Sequence, residues 1–174
     1  MTLNEQNRVL SALETSIMIE IDGKTFYVKA SQDSTSEAGK ELFSQLAIEE
    51  DTHRTLFEQI YEATRKERGW PDLEIQLIPG ARTLFSRDES KNVFKAALSS
   101  EILAVQTALG MEEKSFEFYE AQMKTAGSGS EMRFYRQLAA QERGHHLALI
   151  EYLEYLQDPA SYFIKMEHHT LDGG

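Results

Sequence analysis

The chain has 174 residues, a formal net charge of −11 and no cysteine. That length suffices for one domain with a substantial core, the acid excess argues against a phosphate-backbone partner, and the lack of thiols excludes disulfides, Cys-ligated zinc, iron–sulfur clusters and thiol catalysis within these residues. The segment Met1–Arg8 lacks the basic and apolar blocks of a signal peptide, and no stretch approaches the ~20 apolar residues of a membrane span, so a cytoplasmic protein with no membrane or nucleic-acid contact is expected.

Residues 5–31 are predicted to form the first helix, with Val9, Leu10, Leu13, Ile17, Ile21 and Val28 at helical spacing. Gly23 inside it costs roughly 1 kcal/mol against alanine and reads as a point of close helix packing. Asp33-Ser34-Thr35-Ser36 is a turn, and Ser34-x-x-Glu37 reads as a capping box. The second helix follows over 37–68, with Leu42, Phe43, Leu46, Ala47, Leu56, Phe57 and Ile60 on its apolar face and a solvated end at Thr64–Arg68. Gly69-Trp70-Pro71 stops it. Residues 69–88 lack a helical pattern and suit a crossover along a bundle, with Trp70 as a plug beneath it. Ser86-x-x-Glu89 opens the third helix, which runs to about Thr125 and turns Val93, Phe94, Ala97, Leu98, Ile102, Val105 and Leu109 to the core. After the turn 126–130, Ser128-x-x-Glu131 caps a fourth helix that Asp158-Pro159 ends near Gln157. A short amphipathic helix is expected in the tail, over 160–166. The whole is a single all-α domain over 1–174: hairpin one 5–68, crossover 69–88, hairpin two 89–157 and tail 158–174.

The two hairpins are copies. Glu20, Phe26, Tyr27, Gln45, Leu46, Ala47, Glu50 and His53 recur 92 residues on as Glu112, Phe118, Tyr119, Gln137, Leu138, Ala139, Glu142 and His145. Neither hairpin buries its apolar face alone, so the pair packs into a four-helix bundle.

Residues equidistant from the turn of an antiparallel hairpin lie at one height. The midpoint of Glu20 and Glu50 is 35, and that of Glu112 and Glu142 is 127, both inside predicted turns. Four carboxylates therefore share one layer. In each Glu-x-x-His, three residues advance ~300° and ~4.5 Å, so both side chains leave one face. One glutamate from each of two helices plus Glu-x-x-His from each of the other two is a two-metal ligand set. Four carboxylates offset two divalent cations, and oxygen-rich ligands with one imidazole per metal suit iron or manganese, while zinc binds such sites too. Tyr27 and Tyr119 fall on nearly the same face as Glu20 and Glu112, ~10 Å along the axis, within reach of carboxylates on a neighbouring helix. The repeat decides against Glu49 and Glu113 as ligands, since they match Gln141 and Ile21. His146 is expected at solvent or an interface, and His168 and His169 in the tail are not expected to bind metal. Phe43, Phe57, Phe94, Phe116 and Phe134 are expected in the core.

These motifs resemble the ferritin-like superfamily and, within it, the rubrerythrin-type di-iron proteins, over about residues 5–157. The resemblance implies a ferritin-like four-helix bundle with two iron ions, Glu50 and Glu142 bridging them, Glu20 and Glu112 as terminal carboxylates, and His53 and His145 as terminal imidazoles. It implies an oxidoreductase that reduces hydrogen peroxide or dioxygen with electrons from an external donor protein, as a homodimer; iron storage and a metal-free helical interaction module are the alternatives. The chain departs from typical rubrerythrins in having no cysteine for a rubredoxin-like domain, and Ser115 where they carry an additional glutamate.

Overall fold

The computed structural model describes residues 2–66, 70–71 and 95–164, with side chains from 98 onward in the last span. The elements are α1 (Leu3–Asp33), α2 (Glu37–Arg65), α3 (Lys95–Thr125), α4 (Gly129–Gln157) and a short α5 over 159–164. α1 and α2 form one antiparallel hairpin and α3 and α4 the other, and packing is densest within each. The turns fall at 34–36 and 126–128, centred where the paired glutamates placed them.

Caps fix the helix starts. The Thr2 hydroxyl accepts the Glu5 N–H (3.3 Å) while the Glu5 carboxylate accepts the Thr2 N–H (2.6 Å), so α1 begins two residues earlier than its apolar pattern indicated. The Ser34 capping box does not form. Ser36 caps α2 instead, accepting from the Gly39 N–H at 2.9 Å; the backbone is extended at both Ser34 and Ser36, and the Ser34 hydroxyl donates to Glu101 of α3 while accepting the Ser36 N–H. Ser128 caps α4 as expected, accepting from the Glu131 N–H at 3.1 Å. The reciprocal half differs: Glu131 reaches the Gly127 N–H (2.8 Å). The start of α3 expected at Ser86–Glu89 lies outside the described residues.

The buried stripe of α1 is Val9, Ala12, Leu13, Ser16, Glu20, Gly23, Tyr27 and Ala30. This alternating three-and-four spacing is the seam of a helix packed at a shallow angle. Ile21 and Val28, expected inward, are 36% and 40% exposed. They are off the seam because its middle is occupied by a glutamate, a glycine and a tyrosine rather than aliphatic residues.

Two apolar clusters fill the bundle. One gathers Tyr27 and Ala30 from the end of α1, Leu42, Phe43 and Leu46 from the start of α2, Val105 and Ala108 of α3, and Leu149, Tyr152 and Leu156 near the end of α4. The other gathers Val9 and Leu13, Phe57 and Ile60, Tyr119, and Phe134, Tyr135 and Leu138. α2 thus finishes at the second cluster while the described part of α3 starts at the first. These ends lie at opposite ends of the bundle, which is the topology a crossover requires. The crossover itself, apart from Trp70 and Pro71, lies outside the described residues, as does Phe94. Trp70 packs edge-on to Phe134, ring centroids 5.7 Å apart, and closes the second cluster. Thr64, expected in a solvated helix end, is 1% exposed; its carbonyl accepts from the Gln6 amide at 3.0 Å.

A buried carboxylate ties the hairpins together at each end. Glu101 of α3 accepts from Ser34, Thr35 and the Tyr152 hydroxyl. Glu131 of α4 accepts from Arg8 of α1 at 2.9 Å. In α5, Tyr162 is buried and packs edge-on to Tyr155 at 5.7 Å, so the expected tail helix is present. Among the described residues, no helix is long and apolar enough to cross a membrane.

Candidate metal centre

Between the two apolar clusters the seams of all four helices turn polar. Glu20 (α1), Glu50 and His53 (α2), Glu112 (α3), and Glu142 and His145 (α4) meet there, none more than 4% exposed. They form two overlapping groups: Glu20, Glu50, His53 and Glu142, and Glu50, Glu112, Glu142 and His145. Within each, one ligand atom from every residue lies within 4.8 Å of the others. Glu50 and Glu142 belong to both groups. All six residues singled out by the repeat are thus brought together.

The histidines present Nδ1 to the carboxylates. His53 Nδ1 lies 3.4 Å from Glu20, 3.7 Å from Glu50 and 3.7 Å from Glu142. His145 Nδ1 lies 3.3 Å from Glu112 and 3.6 Å from Glu50. The rings stack with centroids 5.9 Å apart. Both Nδ1 atoms, Glu20 Oε2, Glu112 Oε2 and Glu142 Oε1 are buried without a hydrogen-bond partner among the described residues. Unpaired buried polar atoms are costly and rare. Five in one layer, all lone-pair donors on ordinary metal ligands, fit the demand of a pair of cations.

Tyr27 donates its hydroxyl to Glu112 and Tyr119 donates to Glu20. Each tyrosine therefore reaches a carboxylate of the other hairpin, which antiparallel α1 and α3 permit. In both cases the hydroxyl holds Oε1, leaving Oε2 for the centre. Burial, reinforced by the neighbouring carboxylate, pushes both phenols well above their usual range, so they remain protonated donors.

The same burial governs the acids and bases. It raises Glu20 to about 8, helped by the Glu50 charge, and lifts Glu142 well above the carboxylate range, helped by Glu112. Burial would also raise Glu50, but the neighbouring Glu20 and the facing His145 and His53 rings outweigh it and hold it below its usual value. Burial alone would lower the histidines; the facing carboxylates outweigh it and push His53 up to about 10 and His145 well above its usual value. Without cations, the layer holds protons in their place.

Glu49, set aside as a ligand on sequence grounds, and its repeat counterpart also take part. Glu49 is outside the ligand groups but is 2% exposed and pairs with His145 Nε2 at 2.9 Å. Its counterpart Gln141 is hydrogen-bonded to His53 Nε2 through Oε1. Their signal in the sequence was their common position one residue before each ligand glutamate. Gly23 lies against the centre as well: a Cβ there would stand 3.3 Å from Glu50 Cδ. His146 is half-buried and, with Glu113, Phe116, Glu117 and Arg143, lines a cavity of about 110 Å³ that reaches Glu112. His168 and His169 lie outside the described residues.

The family model described as rubrerythrin matches residues 11–149. Among solved structures, a hypothetical protein from Pyrococcus furiosus is similar, with a TM-score of 0.64 and 25% sequence identity over 86% of this chain and 90% of that one. No curated protein matches.

Proposed function

Since this chain belongs to the rubrerythrin family, we propose that its glutamate–histidine centre holds two iron ions and that the protein is an oxidoreductase, reducing hydrogen peroxide or dioxygen with electrons from an external donor protein. The observation that carries this reading is the set of five buried donor atoms without hydrogen-bond partners, converging on one layer between apolar clusters. A metal-free interaction module has no use for such a set and would bear its desolvation cost. Glu50 and Glu142, common to both groups, would be shared between the two ions, with Glu20, Glu112, His53 and His145 each holding one of them.

Bound ferrous ions supply one electron each, matching the two electrons and two protons that convert one hydrogen peroxide to two waters. The chain contributes the rest. Tyr27 and Tyr119 fix the carboxylates of Glu112 and Glu20 and keep a proton at each oxygen they contact. The apolar clusters on either side exclude bulk water, strengthening every charge interaction within. The cavity beside Glu112 gives a small oxidant its approach.

Anaerobic iron loading followed by metal analysis is expected to give two ions per chain. Stopped-flow mixing of that protein with peroxide is expected to oxidise the iron faster than free ferrous ion, with recovery on adding reductant. Failure to retain iron, or oxidation no faster than in solution, would overturn the proposal. Light scattering separates it from iron storage: a dimer is expected, whereas a closed cage would favour storage.

A further inference from the structure

The two halves of the centre are alike in every ligand but not in what stands behind the histidines. His145 Nε2 faces a carboxylate, Glu49 Oε2, at 2.9 Å, with both side chains 3% exposed. His53 Nε2 faces the neutral amide oxygen of Gln141. The two partners occupy equivalent positions of the repeat, 92 residues apart. Glu49 is itself held, its other oxygen accepting from the Gln45 amide at 2.9 Å. The Gln141 amide nitrogen has no hydrogen-bond partner among the described residues.

A carboxylate behind a histidine polarises the N–H towards itself and makes the opposite nitrogen a stronger donor. It also adds a negative charge close to the cation, where low dielectric magnifies its effect. An amide does neither to the same degree. Building on the two-metal reading above, we propose that Glu49 makes the two metal positions unequal: the position at His145 binds its divalent cation more tightly and fills first, and the position at His53 fills second. Glu49 is a positioning and polarising residue that touches no metal itself. One carboxylate against one amide turns a symmetric ligand set into a tight ion and an exchangeable one.

The test is anaerobic titration of the chelator-stripped protein with ferrous ion, and with Co²⁺ as an optical probe, against a chromophoric competitor. Wild type is expected to bind in two steps. Glu49→Gln is expected to weaken the tight step by about 10–100-fold, the range for groups that orient metal-bound histidines, while the other step changes little. Gln141→Glu is expected to strengthen the weaker step. His53→Ala should leave one ion at the tight affinity, and His145→Ala only the weak one. In the Glu49→Gln/Gln141→Glu double variant that assignment should reverse, which a merely structural role for Glu49 would not produce. Thermal unfolding of the stripped variants shows whether each is folded; if Glu49→Gln is not, Gln141→Glu decides alone. Two bound ions whose affinities ignore both substitutions overturn this inference and leave the two-metal reading standing. No binding by the wild type overturns both.

Discussion

Tyr27 crosses from α1 to Glu112 on α3, and Tyr119 returns the contact to Glu20. Each hydroxyl partners the Oε1 oxygen of a carboxylate that is nearly sealed from water. A buried acceptor that loses its donor bears its desolvation penalty, about 1–3 kcal/mol. Tyr27→Phe and Tyr119→Phe are each expected to lose that much in urea unfolding of the chelated protein. An unchanged midpoint would mean that the hydroxyls do not hold the carboxylates. The spacing from Glu to Tyr placed these phenols within reach of a neighbouring helix. It did not say which glutamate each would meet, because spacing along one helix carries no information about the helix opposite.

Two glycines on facing seams have opposite consequences for the elements that carry them. Gly23 lies mid-α1 against Glu50, where a Cβ would stand 3.3 Å from the carboxylate carbon. Alanine there gains roughly 1 kcal/mol of helix propensity but shifts a carboxylate that both ligand groups share. Gly23→Ala is therefore expected to leave the chelated protein at least as stable while lowering its iron affinity; equal affinity in a ferrous titration would show that Glu50 yields freely. Gly39, in the first turn of α2, has no such latitude. A Cβ would fall on the Glu101 carboxylate and the hydroxyls of Tyr152 and Ser34, which together tie α3 and α4 to the first turn. Overpacking costs about 1–3 kcal/mol, and a broken buried network adds to it. Gly39→Ala is expected to lower the thermal midpoint clearly, and a neutral result would count against the Glu101 tie.

For the molecule as a whole, the central layer makes stability depend on pH and on metal together. Glu20 moves from a usual 4.5 to about 8 in the fold, and His53 from 6.5 to about 10. The folded state then binds more protons than the unfolded chain, so stability falls as pH rises through these windows. The Glu20 part is complete below about pH 4.5 and gone above 8; the His53 part is complete below 6.5 and gone above 10. One unit is worth about 1.4 kcal/mol, and 1 kcal/mol moves the midpoint of a chain this size by roughly 2–4 °C. The chelated protein is thus expected to lose several degrees between pH 6 and 9. Divalent metal should flatten that slope by replacing the protons. A midpoint that is level or rises over the same range without metal would contradict the account.

The sequence by itself determined the helices, the two hairpins, the heights of four glutamates and the identity of all six converging side chains. Periodicity and a repeat offset are properties of position along the chain, and an α-helix converts position into height and direction at a fixed rate. Local patterns misled on the α1 seam and at the start of α2. Ile21 and Val28 face outward because Glu20, Gly23 and Tyr27 hold the seam, and Ser34 does not cap α2 because the backbone is still extended at Ser36; its hydroxyl instead donates to Glu101 of the other hairpin. Only the tertiary structure decided that the histidines turn Nδ1 inward, that Tyr27 belongs to Glu112, and that Glu49 and Gln141 stand behind the rings. The tyrosine, Ser34 and Nε2 contacts join residues 67 to 99 positions apart. They depend on how two separately formed hairpins meet, which no pattern within either hairpin encodes.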